Sequence, residues 1–326
     1  MARIWLTFAI LLLANLARAG DLPDGLLVFR DRLAPESTLE IELVSWSEAQ
    51  QQILRDMLGG LWHKAPGLVQ RAAQAGPISA YLTSSPTPSH PAAAWVRRGH
   101  EASLIVNRNF FRTGIPNGQG VEYNSWLFVH EIAHLADPVE EIVASGAWRR
   151  LIGPRRKAVT ERLAAEGLSL RDAMFQYRDE PAVAEGFPGV YAAMSPDEAL
   201  AEYAAVRLFA SPGPLPGEVR EFIDTRLLSP PSEQERRNAR AYRKARMLYR
   251  QKNYAEAERE LNAALRLSPV FGMGLFLRGY VRLAAGNPKG ARSDWLRARA
   301  LIPDDKRKRQ EDIARGLARA RELLGE

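Results

Sequence analysis

Apolar and polar positions follow two regimes along the chain. Short apolar runs mixed with one helical stretch extend to residue 128, and long helical periodicity follows. Apolar runs at residues 25–29 and 39–44, a helical pattern over 48–61, and strand character over 78–82 and 103–106 predict an α+β beginning. The Pro/Ser-rich piece 83–91 and the stretch 114–120, with Pro116, Asn117 and two glycines, read as loops. A helix is predicted over 125–135, ended near Asp137-Pro138 because proline disfavours helical geometry in the residue before it. A polar, Arg-rich helical region fills 139–177. A further helix runs from Ser195 to about residue 210, with Ser195 as N-cap, Pro196 in first position and Asp197 and Glu198 in the first turn. It stops at Ser211-Pro212-Gly213-Pro214. One more helix, 216–228, precedes Ser229-Pro230-Pro231-Ser232, read as the domain boundary.

Beyond that boundary the pattern repeats. Ala257, Ala264 and Pro269 recur as Ala291, Ala298 and Pro303, each 34 residues on. At the same step Ala245 matches Gly279 and Leu261 matches Trp295, small and bulky slots where paired helices pack. This period resembles the tetratricopeptide repeat, in two copies over residues 238–303. The sequence departs from that pattern where the usual leucine of the first helix is Lys244 in one copy and Arg278 in the other. A helix over 305–324 is expected to cap the stack. The fold class expected for the whole is therefore an α+β domain over 20–230 followed by an all-α, TPR-like helical repeat domain over 235–326.

The first residues modify this picture. Met1-Ala2-Arg3, an apolar stretch over 4–13, and Ala17 and Ala19 before Gly20 predict a signal peptide, residues 1–19, cleaved after Ala19. An uncleaved anchor is the alternative, but the apolar stretch is short of the roughly 20 residues a spanning helix needs. No later segment reaches that length. Export to a periplasm or the exterior is expected.

Cysteine is absent, so disulfides, thiolate ligands and a cysteine nucleophile are excluded, and any metal must sit on histidines and carboxylates. The net charge of +7 is unevenly spread: residues 1–230 hold 22 Lys+Arg against 26 Asp+Glu, residues 231–326 hold 23 against 12. In an exported protein, this C-terminal basic excess suits anionic lipid, wall polymer or an acidic protein, and nucleic acid is not expected as a partner. A solvated Arg-rich surface accounts for it equally well.

The candidate chemistry lies in Trp126-Leu-Phe-Val-His130-Glu131-Ile-Ala-His134-Leu-Ala-Asp137. Histidines at i and i+4 share one helix face, so both imidazoles can bind one ion, while Glu131 is offset toward an ion's water. The apolar neighbours Leu127, Phe128, Val129, Ile132 and Ala133 imply burial, which costs several kcal/mol for such polar groups unless they find partners. A catalytic zinc wants a third protein ligand and an open position. No histidine follows His134, so that ligand must be a carboxylate. Glu198 and Glu202, four residues apart among alanines, both qualify, and periodicity does not choose between them.

This arrangement resembles the zinc peptidase domain of anthrax lethal factor and its bacterial relatives, a branch of the zincins with a glutamate third ligand. The similarity covers residues 103–228. It rests on His130, Glu131 and His134 with Asp137 three residues on, and on Tyr191 seven residues before Glu198-Ala-Leu-Ala201-Glu202, an E-x-x-A-E helix. The resemblance implies one Zn2+ on His130, His134 and Glu198, with Glu202 and Asp137 supporting the ligands. It also implies Glu131 as general base and Tyr191 facing the oxyanion. Ala133 departs from the family's frequent glycine, and the stretch from Asp137 to Tyr191 is longer than the family pattern. Both bear on substrate preference rather than on the ligands.

The function expected is that of an exported zinc metallopeptidase acting on peptide or protein substrates, with the repeats recruiting substrate or a protein partner. The alternative is a non-catalytic repeat scaffold carrying a structural zincin-like domain. His63, His90 and His100 lack metal spacing. Arg149-Arg150 and Arg155-Arg156-Lys157 read as solvated charge runs or as contacts for an acidic substrate tail. Lys306-Arg-Lys-Arg309 is a basic run of the same kind.

Overall fold

A computed structural model describes residues 22–32, 42–84, 94–98, 102–111, 123–209, 214–302 and 307–326. The expected signal peptide, His90, His100, Pro303 and the loop residues 114–120 lie outside these. The chain divides into two compact units, one formed by Met1–Asp137 with Gly146–Pro230, the other by Pro138–Ser145 with Pro231–Glu326. The division falls in the Pro-Pro stretch, where two prolines remove backbone donors and resist helix continuation.

The first unit contains a four-stranded sheet in the order β1-β2-β4-β3, made of β1 (Leu27–Arg30), β2 (Ile78–Thr83), β3 (Ala94–Arg98) and β4 (Ala102–Asn107). β1, β2 and β4 run parallel, with Ile78 opposite both Leu27 and Ala102, and β3 closes antiparallel on β4. Every residue of β2 and of β4 is buried. A strand covered on both faces has no reason to alternate, so both are mainly apolar, and their polar residues Ser79, Thr83, Ser103 and Asn107 are buried as well. Strand β3 was not predicted. Its sequence Ala-Trp-Val-Arg-Arg is short and follows the Pro/Ser-rich loop, which hides its β character.

Helix α1 (Glu48–Lys64) opens on a capping box between Ser47 and Gln50. Helix α2 (Pro66–Ala72), also unpredicted, brings Gly67 against the carbonyl of Leu228, where a Cβ has no room. The buried Arg71 of the same helix donates from Nε to Ser229 O at 2.8 Å. The two contacts pin the end of the unit's last helical segment, which is α-helical over Gly217–Phe222 and widens to a π turn over Ile223–Leu227. Helix α3 (Tyr123–Leu135) packs on the β3 side of the sheet and on helix α7 (Pro196–Phe209). Alanines 199, 201, 204 and 205 are all buried on α7, and their small side chains allow its close approach. Between α3 and α7 lie α4 (Gly146–Ala165), α5 (Leu170–Phe175) and α6 (Glu180–Ala184). The polar region expected as one helical stretch over 139–177 is thus broken: Pro138–Ser145 is made of turns, and the chain reverses at Gly167 with φ of +74°.

The second unit is two helical hairpins and a final helix: α8 (Gly217–Phe222) being the last of the first unit, these are α9 (Glu233–Arg250) with α10 (Tyr254–Leu267), α11 (Gly272–Ala284) with α12 (Pro288–Leu301), and α13 (Arg307–Leu324). The 34-residue step is visible in the turns as well as the core. Asn253 and Asn287 each cap a second helix through their side chains, and Lys252 and Gly286 just before them both have positive φ. Gly279 leaves room for the ring of Trp295, whose Nε1 donates to Phe276 O at 3.2 Å.

The departures at Lys244 and Arg278 also have a counterpart. Lys244 pairs with Glu260 at 2.6 Å and Arg278 with Asp294 at 2.6 Å, so cation and acid recur together across each hairpin. In the second copy the pair is buried and Arg282 joins it, with Nη1 2.9 Å from Asp294 Oδ2.

Candidate metal centre

Helix α3 is apolar on nearly every side, with Leu127, Phe128, Val129, Ile132, Ala133 and Leu135 all buried, and this fixes where its polar residues point. His130 and His134, one turn apart, face helix α7. Their Nε2 atoms lie 3.0 Å from each other. Glu198 Oε2 is 3.1 Å from His130 Nε2 and 3.2 Å from His134 Nε2. Glu198 stands in the first turn of α7, where Ser195 Oγ caps its backbone N–H at 3.1 Å. The choice between the two glutamates left open by periodicity thus falls on Glu198 for the converging oxygen. Glu202, one turn on and buried, reaches the far side of His130, with Oε1 3.0 Å from Nδ1 but off the line of a hydrogen bond.

The fit of this cluster to a metal ion can be judged from its donors. Two imidazole nitrogens and a carboxylate oxygen converge within 4.8 Å of one another. A tetrahedral site with ligands about 2.0–2.1 Å from the ion has edges of about 3.3 Å. The three edges here, 3.0, 3.1 and 3.2 Å, are close to that. The charge balance agrees. Burial alone would hold His130 neutral, but Glu198, Glu202 and Glu131 outweigh it and push its pKa from 6.5 up to about 10. Burial works against the Glu198 carboxylate, yet the two imidazoles hold it well below the usual carboxylate range. Burial raises Glu202 in spite of His130. A buried group of carboxylates exceeding its cations favours a positive ion in its midst. The residues fit a divalent metal.

Tyr191 reaches this cluster from the loop before α7, its ring centroid 5.9 Å from that of His130. Burial and the charges of Glu198, Glu131 and Glu202 push its phenol far up, so it stays protonated and can donate. Glu131 is buried beside these groups and acts on both His130 and Tyr191 through its charge. Asp137 is buried just past the end of α3. His63 ends α1 and takes no part in the cluster.

The roles of four residues here are not foreseen from the sequence. Trp126, one turn before His130, stacks on its ring at 5.6 Å between centroids. Trp148 of α4 is fully buried and donates from Nε1 to Pro196 O at 3.0 Å, fixing the start of α7. Arg156 of α4 donates to Ala193 O at 2.9 Å and Met194 O at 3.0 Å, and Asp179 accepts from Val190 N at 2.7 Å. The loop bearing Tyr191 is thereby held on both sides. The expectation of a solvated Arg155-Arg156 run is corrected: Arg155 also turns inward, donating to Glu185 O at 3.1 Å. Contacts across 30 to 38 positions leave no periodic trace in a sequence.

Comparison with family models, with curated proteins and with solved structures finds no match to this chain.

Proposed function

We propose that this chain is a zinc-dependent peptidase in which His130, His134 and Glu198 hold one Zn2+ per chain. The observation that carries the reading is the convergence of their three donor atoms at 3.0–3.2 Å within a buried, acid-rich cluster. Two histidines and a glutamate are a donor set of catalytic zinc sites. A bound zinc ion supplies Lewis acidity, polarising a carbonyl and lowering the pKa of water. Glu131 takes the proton of the attacking water on its carboxylate and passes it to the leaving amine nitrogen. Tyr191, held protonated by its surroundings, donates a hydrogen bond to the oxygen that gains charge in the tetrahedral intermediate. Glu202 stands 3.0 Å from His130 Nδ1, where its carboxylate would hold the ring with Nε2 toward a bound ion. The side chain of Glu198 is 23% exposed, so the cluster is open to a substrate on that side.

Export, a peptide substrate and recruitment through TPR-like repeats belong to the same proposal. The zincin-like and repeat resemblances support it together with the arrangement of the site. Cleavage of a mixed-sequence peptide library, read by mass spectrometry, tests it. Zinc-loaded protein is expected to cleave, and Glu131→Gln at equal zinc content to lose about 10²- to 10⁴-fold in rate, the usual worth of a general base. Equal cleavage by Glu131→Gln would remove the catalytic role. A zinc-loaded wild type without cleavage would favour the scaffold reading.

A further inference from the structure

The two nitrogens of His130 are held in different ways. Nε2 faces its fellow donors, Glu198 at 3.1 Å and His134 at 3.0 Å. At Nδ1, Glu202 Oε1 is 3.0 Å away, yet neither of these two atoms makes a hydrogen bond. A histidine ring turns broadly about its Cβ–Cγ bond, because that torsion joins a tetrahedral to a planar carbon. A bound ion would take the lone pair of Nε2, so the plane of the ring needs a support other than its nitrogens.

Three rings surround it. His134 meets it edge-on, at 82° with centroids 4.6 Å apart, and Tyr191 is tilted by 37° at 5.9 Å. Trp126 lies flattest against it, at 30° and 5.6 Å, a separation at which offset aromatic rings attract. The pairing follows from the helix. Side chains four residues apart on α3 share a face, and a helical side chain leans toward the N-terminus, so His130 leans back over Trp126. Trp126 is half-buried, and its Nε1 is shut off from water without an acceptor among the described residues. Such a donor costs stability, so the indole stands here at a cost, and what it offers His130 is its face.

We propose that Trp126 is a positioning residue of the metal centre, its indole face fixing the plane of the His130 imidazole and stabilising that ring when Nε2 binds an ion. The face of an indole is electron-rich. An imidazole that lends its lone pair to a cation becomes electron-poor, and the stack stabilises it in that state. The inference rests on the metal-site reading of His130.

Full-chain Trp126→Phe, which keeps an aromatic face and removes the orphan donor, and Trp126→Leu, which removes the face, test it. Zinc affinity is measured by competition with a chelator. Trp126→Leu is expected to bind about tenfold or more weakly, as for loss of a group that orients a ligand, and Trp126→Phe to stay within about threefold of wild type. The visible absorption of the cobalt-substituted protein is expected to keep its bands in Trp126→Phe and to shift in Trp126→Leu. In metal-free protein with isotope-labelled histidine, the His130 ring protons, identified among five histidines by their loss in His130→Gln, are expected to be shifted upfield by the indole and to lose that shift in Trp126→Leu. Phe128→Leu alters a buried aromatic of the same helix that forms no ring contact with His130 among the described residues, and is expected to leave zinc affinity within about threefold. Circular dichroism melting confirms that each variant is folded. Equal weakening by Trp126→Phe and Trp126→Leu, or by Phe128→Leu and Trp126→Leu, overturns the proposal, as does a wild-type His130 ring without the upfield shift. Failure of wild type to bind zinc overturns the metal-site reading and this inference with it, whereas zinc binding equal in wild type and Trp126→Leu overturns the inference alone.

Discussion

His130 carries opposed demands on one ring. Its Nε2 faces Glu198 and His134, its Nδ1 faces Glu202, and Trp126 stacks on it. Without metal the surrounding carboxylates raise it from 6.5 to about 10, so it gains a proton on folding. A group raised in the folded state contributes stability fully below its ordinary value and loses it as pH rises through the folded value. The melting midpoint of metal-free protein is therefore expected to fall between about pH 6.5 and 10 relative to His130→Gln. A parallel pH course in the two proteins would contradict this. For Glu202, which braces the ring from outside, Glu202→Gln is expected to weaken zinc binding about 10- to 100-fold in a competition titration with a chelator. The proposed ligand residues were legible because each motif is local: two histidines one turn apart, and two glutamates one turn apart. Their meeting is long-range, and only family resemblance bridged the 64 positions between His134 and Glu198.

At the scale of elements, the loop from Gly186 to Met194 owes its shape to side chains from elsewhere. Tyr203 OH donates to Gly186 O at 2.7 Å, and Arg156 and Asp179 hold the remainder. Arg156→Gln is expected to lower kcat about tenfold, through misplacement of Tyr191, while zinc content stays unchanged. Loss of zinc in parallel with activity would instead give Arg156 a general structural role. The repeats offer an internal contrast. Lys244–Glu260 is an exposed pair at the place where Arg278–Asp294 is buried. Glu260→Ala is expected to cost less than about 1 kcal/mol in denaturant unfolding. Asp294→Ala leaves the buried Arg278 without a carboxylate, with Asn262 as its remaining partner, while Arg282 keeps Glu258, and is expected to cost about 3–5 kcal/mol. The sequence held the signal for this: an acid recurs with each cation at the 34-residue step, yet Lys244 and Arg278 read only as departures from leucine. Strand β3 and helix α2 lacked such a signal, being short and flanked by proline.

Across the whole molecule, the Pro-Pro stretch and the charge asymmetry marked where one kind of structure gives way to another. The membership of Pro138–Ser145 in the second unit was invisible, because its few apolar residues carry no period and its partners are about a hundred positions away, as for Glu141 and Asn238. No helix among the described residues is long and apolar enough to cross a membrane. We propose that two separate helices, α3 and α7, combine to hold one metal ion. The most direct test is the zinc content of the purified full chain by mass spectrometry after dialysis against zinc-limited buffer. About one zinc per chain is expected in wild type, as for a three-ligand catalytic site, and none in folded Glu198→Ala. Zinc retained by Glu198→Ala, or absent from wild type, would contradict it.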